Sequence, residues 1–351
     1  MNQNIPSDIT PALMLCPAFR VENGIITEVN SAASSFGIQT GVQINTLICV
    51  GSEEFSQFTE GRLDLTLMID DTPISACAIP DSTGFIFCLD SHFTRPEQRA
   101  LALSALHLRE PLSNALISTT EISEDLSPAE KARLAHIRKN LQQLARMIYN
   151  MADLADYSKN ANLSWRNAVA IFREVLEKAQ TLLEKSGKQL LFSLPEQPFF
   201  CNLDEQMLRR GALNLLSNAA IFADGSDPIE ATLVLNEQRL LFSVENTCSK
   251  QFDLERDLFS CYMREPNVED GRNGIGLGLP IVNSVAYAHN GVVLMTQPES
   301  GRIRVTLSIR GNNTAPTNLR SPVHIPIERY GGWDQSLVEL SSILSIELYE
   351  P

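Results

Sequence analysis

The spacing of apolar positions divides the chain into stretches of different character. Between residues 12 and 91 the apolar runs are short and turn residues punctuate them. "VENGIITEV" sets Asn23-Gly24 between two such runs, the signature of a β-hairpin. "LDLTLMID" and "GFIFCLD" read as further strands, and "NSAASSFGI" as a short helix. A small mixed α/β module is predicted.

The pattern changes at Pro96. From there to about Lys159 two long helical patterns are joined by "SEDLSPAE". Ser127, with Pro128 at the first helical position and Glu130 three residues on, forms a capping box that marks where the second helix starts. That helix repeats Leu134, Ile137, Leu141, Leu144, Ile148 and Met151 at spacings of three and four, which makes a seam. Two helices of this kind bury their seams poorly alone. A homodimeric four-helix bundle is the simplest solution.

From about Leu163 helices and strands alternate. A helix ("FREVLEKAQTLLEKSG"), a strand ("QLLFSL") and a long helix over Leu203–Ala223 come first. Two adjacent strands follow ("IEATLVL" and "RLLFSVEN"), then an irregular stretch rich in glycine, a helix, and two last strands ("VVLMTQ" and "IRVTLSI"). This predicts a mixed sheet with helices on one face. Beyond Gly311 the chain is punctuated by proline and glycine. Helical periodicity resumes near Asp334, where Trp333, Leu337, Leu340 and Leu344 form an apolar stripe that packing on the body would cover.

Composition narrows the function classes. A length of 351 residues allows two or three domains, and a hydrophobic fraction of 44% suffices for packed cores. No apolar run approaches the roughly 18 residues that span a bilayer, and "MNQNIPSDIT" lacks the basic-then-apolar form of a signal peptide. Seven cysteines scattered without a CxxC pair point to a reducing cytoplasm. A net charge of −14 argues against nucleic acid as a partner, because phosphate backbones recruit basic surfaces.

The candidate chemistry lies in two places. On the helix "LDEQMLRRGALNLLSNAAIFAD", Asn214 and Asn218 stand four residues apart and share a face. Leucine and alanine continue on both sides, so neither caps the helix. Two amides on an apolar stripe need polar partners, which a magnesium ion with its waters would supply. In "GRNGIGLGLPIV", Gly274, Gly276 and Gly278 run directly into a helix-forming segment. Bare N–H groups and the helix dipole favour an anion at such a turn. The spacing fits neither the phosphate loop that ends in Gly-Lys-Ser/Thr nor GxGxxG.

"LNLLSNAAIF" resembles the asparagine box of sensor histidine kinases, and "NGIGLGLPIV" their second glycine box. "LFSCYMRE" between them resembles the phenylalanine box, with Phe259, Tyr262 and Arg264 at the expected places. Order and separation also match the ATP-binding domain that these kinases share with gyrase, MutL and the ninety-kilodalton heat-shock chaperones. Asn214, where gyrase-like members carry a glutamate base, points to the kinase branch. The resemblance implies an α+β multidomain chain: a PAS-like sensor module (1–91), a dimerisation helical hairpin (92–160), a Bergerat-type α/β sandwich ATP-binding domain (161–310) and a C-terminal extension (311–351) packed on the body. It implies ATP and Mg2+ as cofactors, with Asn218 holding the metal, Asn214 supporting the phosphates, and Gly274, Gly276 and Gly278 letting a lid close on the triphosphate. Partners implied are a second copy of the chain, a response-regulator receiver domain and a small-molecule ligand in the sensor module. The cytoplasm is the implied location.

Three features depart from the family pattern. Asn246 stands where an aspartate contacts the adenine amino group, and Cys248 and Lys250 replace the glycines of that box. An asparagine carbonyl still accepts a hydrogen bond from the adenine amine. Ile221 stands where a lysine is common. "ALHLREPLSNAL" aligns with the phospho-acceptor box through Leu108, Arg109, Pro111 and Leu112, which puts Leu106 at the phosphorylated histidine and His107 one residue later. One residue turns a helical side chain by about 100°. Leu108 cannot serve as the acid beside the histidine, whereas Glu110, three residues on, shares roughly its face. His107 with Glu110 is therefore the candidate catalytic pair, and His136 reads as a surface residue. Two functions follow from the resemblance: a histidine kinase that passes phosphate through His107 to a response regulator, or an ATP-binding pseudokinase that signals by dimer conformation.

Overall fold

A computed structural model describes residues 10–14, 16–59, 63–70, 72–89, 96–122, 126–156, 161–223, 227–236, 239–248, 278–299, 301–310 and 334–350. In the N-terminal part, β1 (Ala18–Glu22), β2 (Ile25–Val29), β3 (Ile48–Val50), β4 (Leu63–Ile69), β5 (Thr72–Pro80) and β6 (Phe85–Leu89) form one antiparallel sheet in the order β2-β1-β6-β5-β4-β3. Asn23 and Gly24 turn β1 into β2 with φ of 52° and 78°, the left-handed pair that a tight hairpin requires. The short helices α1 (Ser31–Ser34) and α2 (Ser52–Ser56) lie between strands. Asn30 caps α1 through Ala33 N (2.8 Å), and its amide donates to Cys16 O (2.8 Å), which ties the helix to the start of the sheet.

Side chains alternate between the faces of this sheet, and each face has its own core. Phe19, Ala78 and Phe87 point into a local core with Ile26, Ile44 and Leu67. Ala18, Cys77, Ile79, Ile86 and Cys88 point the other way and join the main core of the chain.

Two long helices follow, α3 (Pro96–Glu121) and α4 (Pro128–Asp156). They run antiparallel. Arg138 donates to Thr119 O (2.8 Å) near one end, and the Arg109 guanidinium lies 5.2 Å over the Tyr149 ring near the other. At the start of α4 the Glu130 carboxylate accepts from Ser127 N (2.8 Å) and Ser127 Oγ (2.6 Å), and these two bonds hold its pKa below the usual carboxylate range. The seam read from sequence splits in two. Leu134 and Ile148 are buried, whereas Ile137 and Leu144, seven residues apart on one face, are 50% and 49% exposed. Ala145, Ile148, Tyr149 and Ala152 of α4 share one core with Ala105, Leu112 and Leu116 of α3, and the polar Arg138 and Gln142 of α4 are buried as well.

The third part holds β7 (Ser164–Asn167), α5 (Ala168–Lys185), β8 (Leu190–Ser193), β9 (Phe200–Leu203), α6 (Glu205–Phe222), β10 (Ile229–Asn236), β11 (Arg239–Thr247), α7 (Gly278–Ala288), β12 (Val292–Thr296) and β13 (Arg302–Arg310). Five strands form a mixed sheet in the order β12-β13-β11-β10-β8, with β8 and β10 parallel; β7 and β9 pair separately. Helices α5, α6 and α7 supply the apolar cover. Phe172 of α5 packs on Phe242 of β11 with ring centroids 4.5 Å apart, and Gly211 lets α7 approach α6 so closely that a methyl group there would lie 3.3 Å from Val285. β11 is buried without alternation from Leu240 to Asn246. Such a run marks a strand covered on both faces. The N-terminal sheet contributes to this cover: Met14 bridges Leu294 on the edge strand β12, and the outward face of that sheet shares one core with β10–β13.

The C-terminal segment wedges between helices. α8 (Gln335–Glu339) is capped by Asp334, which accepts from Ser336 N (2.9 Å) and pairs with Lys178 of α5 at 2.6 Å. Val338 enters the core of the α3–α4 pair, while Leu340, Leu344 and Tyr349 enter the main core. Lys139 of α4 donates to Leu344 O (2.6 Å). Trp333 lies outside the described residues. Among the described residues, no helix is long and apolar enough to cross a membrane.

Candidate functional site

Helix α6 carries the site, and its N-terminus is held by an unusual pair of contacts. Asp204 caps it by accepting from Met207 N (3.0 Å), and the Asp204 backbone N–H donates to Nε2 of His289 (2.9 Å). His289 Nδ1 lies 2.7 Å from Val285 O, which assigns the proton to Nδ1 and leaves Nε2 as the acceptor. Burial pushes the His289 pKa down, against the opposing pull of the Val285 carbonyl and the Asp204 charge. The imidazole is therefore neutral and structural.

Asn214 and Asn218 sit one turn apart in the middle of α6. Asn214 is fully buried and Asn218 half-buried. Gly278, the first residue of α7, closes over both. A methyl carbon at Gly278 would stand 3.1 Å from Asn218 Oδ1 and 3.3 Å from Asn214 Oδ1. The Asn214 amide donates to Arg210 O (3.1 Å) and Glu339 Oε2 (3.2 Å), while its Oδ1 is buried with no hydrogen-bond partner among the described residues. A buried acceptor left open on an otherwise satisfied amide is what a site for a hydrated cation presents. The orphaned oxygen fits a magnesium ligand here, and the bare backbone of Gly278 keeps any side chain off it.

Asn246 lies at the end of β11, buried, opposite Ile303 of β13. Its Nδ2 donates to Thr247 O (2.9 Å), which leaves the carbonyl oxygen as the acceptor. Cys248 is buried and its N–H donates to Gly301 O (2.7 Å), so the backbone beyond the strand is held by the β12–β13 turn. Gly274, Gly276, Lys250, Phe259, Tyr262 and Arg264 lie outside the described residues.

Residues 203–313 match the family of histidine kinase-, DNA gyrase B-, and HSP90-like ATPases. The sensor histidine kinase CusS of Escherichia coli O157:H7 is 29% identical over 272 residues, which cover 74% of this chain and 55% of that protein. The sensor protein KdpD of Escherichia coli K12 is 28% identical over 63% of this chain and 25% of its own length. Over about three quarters of its length the chain is similar to the sensor histidine kinase CusS. It spans about half the length of the CusS proteins it matches. Among solved structures it is similar to full-length ShkA in complex with AMPPNP, at 19% identity over 62% of this chain and 47% of that one, with a TM-score of 0.48. It is also similar to the histidine kinase ThkA in complex with the response regulator protein TrrA, at 16% identity over 85% and 96% of the two chains, with a TM-score of 0.40.

The matched region holds Asn214, Asn218, Asn246 and Gly278 but not the candidate phospho-acceptor. His107 and Glu110 are both exposed on α3. No hydrogen bond joins them among the described residues. Sequence reasoning missed Glu339, which accepts from the Asn214 amide, and Arg210, which pairs with Glu339. The arginine pair 209–210 just before the asparagine box was a visible signal for Arg210. Nothing in the local pattern singled out a glutamate 125 residues downstream of Asn214.

A second polar group in the core has no such role. Cys16, Cys77 and Cys88 cluster where the N-terminal sheet meets the main core. Hydrogen bonding to Cys16 and Cys77, together with burial, drives the Cys88 thiol well above its ordinary pKa. A thiol kept protonated and buried in this way is an unreactive packing group.

Proposed function

We infer that the chain is a protein-histidine kinase of two-component signalling. It binds ATP between α6 and α7, phosphorylates His107 on the helical pair, and passes the phosphoryl group to the receiver domain of a response regulator. The observation that carries this reading is the Asn214–Asn218 pair closed over by Gly278, with Asn214 Oδ1 buried and open. It stands inside the region that matches the kinase-type ATPases.

Each residue has a role that follows from its place. Asn218, half-buried at the rim, holds magnesium, and Asn214 supports the phosphates from beneath. When bound, the metal neutralises charge on the transferring phosphate. The Asn246 carbonyl accepts from the adenine amino group. Gly274, Gly276 and Gly278 allow backbone to close over the triphosphate, where a side chain would obstruct it. In the transfer step a ring nitrogen of His107 attacks the γ-phosphorus, the bond from phosphorus to the β–γ bridging oxygen breaks, and ADP leaves. The ring's other nitrogen then gives up its proton to Glu110.

The same reading divides the chain into a PAS-like sensor module over 1–91, a dimerisation hairpin over 92–160, the ATP-binding domain over 161–310 and a C-terminal extension. The β2-β1-β6-β5-β4 order with two short helices supports the sensor assignment, and a small-molecule ligand in that module is the expected input. The exposed Ile137 and Leu144 support a homodimer, since a second copy would cover them. The six described cysteines are all free, in keeping with a cytoplasmic location. Incubation of the full chain with γ-labelled ATP tests the function. Acid-labile, base-stable label is expected, and its absence at millimolar Mg-ATP would sink the kinase reading.

A further inference from the structure

Glu339 is a buried carboxylate delivered to the nucleotide site from outside the ATPase-family region. It ends α8, is fully buried, and reaches three side chains at once. Its Oε1 lies 3.3 Å from Arg210 Nε, and its Oε2 lies 3.5 Å from Arg146 Nε and accepts from Asn214 Nδ2 at 3.2 Å. Arg210 is anchored in turn by donation to Asn150 Oδ1 (2.7 Å). The carboxylate is thus clamped between the arginines of α4 and α6, with little freedom to leave the amide. The segment that carries it is fixed by Val338 in the helical-pair core and by the Lys178–Asp334 and Lys139–Leu344 contacts.

This arrangement decides which way the Asn214 amide faces. Both amide hydrogens are used, one on Arg210 O and one on Glu339. A flip would set the amide oxygen against a carbonyl and a carboxylate, two acceptors, and leave the amide hydrogens pointing at the site. With the observed orientation Oδ1 is turned toward Gly278 instead, unpartnered among the described residues. Without Glu339, one of the two contacts that oppose the flip is gone.

We propose that Glu339 is a positioning residue of the nucleotide site: it fixes the Asn214 amide so that its oxygen is presented to the hydrated cation of bound Mg-ATP. The role rests on the nucleotide reading above. It gives the C-terminal segment a part in a site whose family region ends at residue 313.

A double-mutant cycle on the full chain, read as Mg-ATP affinity by calorimetry, tests it. Glu339→Ala and Asn214→Ala are each expected to weaken binding about tenfold, the scale of one lost charge-assisted hydrogen bond. If Glu339 acts through Asn214, the double variant is no weaker than Asn214→Ala alone. Glu339→Gln, which keeps an acceptor, should recover part of the affinity. Because Glu339→Ala removes a carboxylate that pairs with two arginines, Glu339→Ala with Arg146→Met offsets the change in charge should the single variant fail to fold. Its affinity should fall as far as that of the single variant. Multiplicative losses in the double variant, or native affinity in a folded Glu339→Ala chain, would overturn the positioning role and leave the nucleotide reading intact. Absence of Mg-ATP binding by the native chain would overturn both.

Discussion

Gly278 opens α7 directly against Asn218, with room for a hydrogen but not for a methyl group at ordinary contact distance. A Cβ there would lie 3.1 Å from Asn218 Oδ1 and 3.2 Å from its Nδ2, tighter than nearly all real contacts. The backbone at Gly278 is helical, so alanine costs nothing in conformation and gains in helix propensity. The expected outcome of Gly278→Ala is therefore a split: melting temperature unchanged or slightly raised, and Mg-ATP affinity reduced by about five- to tenfold as the asparagine amides are displaced. Equal affinity in the variant would show that the glycine is not shielding the site.

His289 links the α6 N-terminus to pH. Its pKa is lowered from the ordinary 6.5, chiefly by burial, with the Val285 carbonyl and the Asp204 charge pulling the other way. The folded state thus resists taking a proton that the unfolded chain accepts readily. In the window below 6.5 the unfolded state binds more protons, so stability rises with pH there and is fully present above it. Protonation would also place a donor on Nε2 facing the Asp204 N–H. Melting temperature should fall as pH is lowered from about 7.5 to 5.5, and His289→Gln, which keeps an acceptor near Nε2, should flatten that slope. A slope unchanged in the variant would assign the pH dependence elsewhere.

Much of this architecture is legible in the sequence where local chemistry decides it. The Asn23-Gly24 hairpin and the Ser127–Glu130 capping box are both present in the structure, because each depends on residues within a few positions of one another. Asn214 and Asn218 share a helical face for the same reason. What the pattern could not give was determined at long range. The even run of burial along β11 comes with cover from an N-terminal sheet far away in sequence, whose outward face joins the same core. The contact face of α4 mixes Ile148 and Tyr149 with buried alanine, arginine and glutamine, residue types that apolar periodicity ignores. Glu339 reads locally as one more charge on a short amphipathic helix, and only the fold places it against Asn214.

The outward face of the helical pair sets a test of assembly. Ile137 and Leu144 of α4 are about half exposed, and Leu108 and Ile117 of α3 are exposed to a similar degree. Aliphatic side chains repeated at a seven-residue spacing are the material of helix–helix contact. Light scattering at micromolar concentration should give a dimeric mass for the native chain and a monomeric mass for Ile137→Glu with Leu144→Glu. Mg-ATP affinity should be unchanged in that variant, because both side chains lie on the exposed face of α4. A native monomer would remove the homodimer from the proposal.

The last test separates His107 from its neighbours. In the family arrangement the phosphorylated histidine and its acid stand five and four residues before the proline, whereas here Leu106 and His107 occupy those places before Pro111. The helix continues through Pro111, so the register relative to it is fixed and His107 is rotated by about 100° from the usual acceptor direction. His107 is nonetheless exposed, and Glu110 lies on the same helical face three residues on, free of any capping role. A nucleophile that is accessible but turned from its usual direction, with its acid at a longer spacing, should react slowly. Label from γ-labelled ATP should accumulate slowly on the native chain, vanish in His107→Gln and persist in His136→Gln. Exchanging the pair, Leu106→His with His107→Glu, restores the family arrangement and should raise the labelling rate by about a hundredfold, the lower range of a well-placed acid–base partner. Label that survives His107→Gln would move the acceptor to another residue, and a swap that slows the reaction would show that the bundle is built around His107 where it stands.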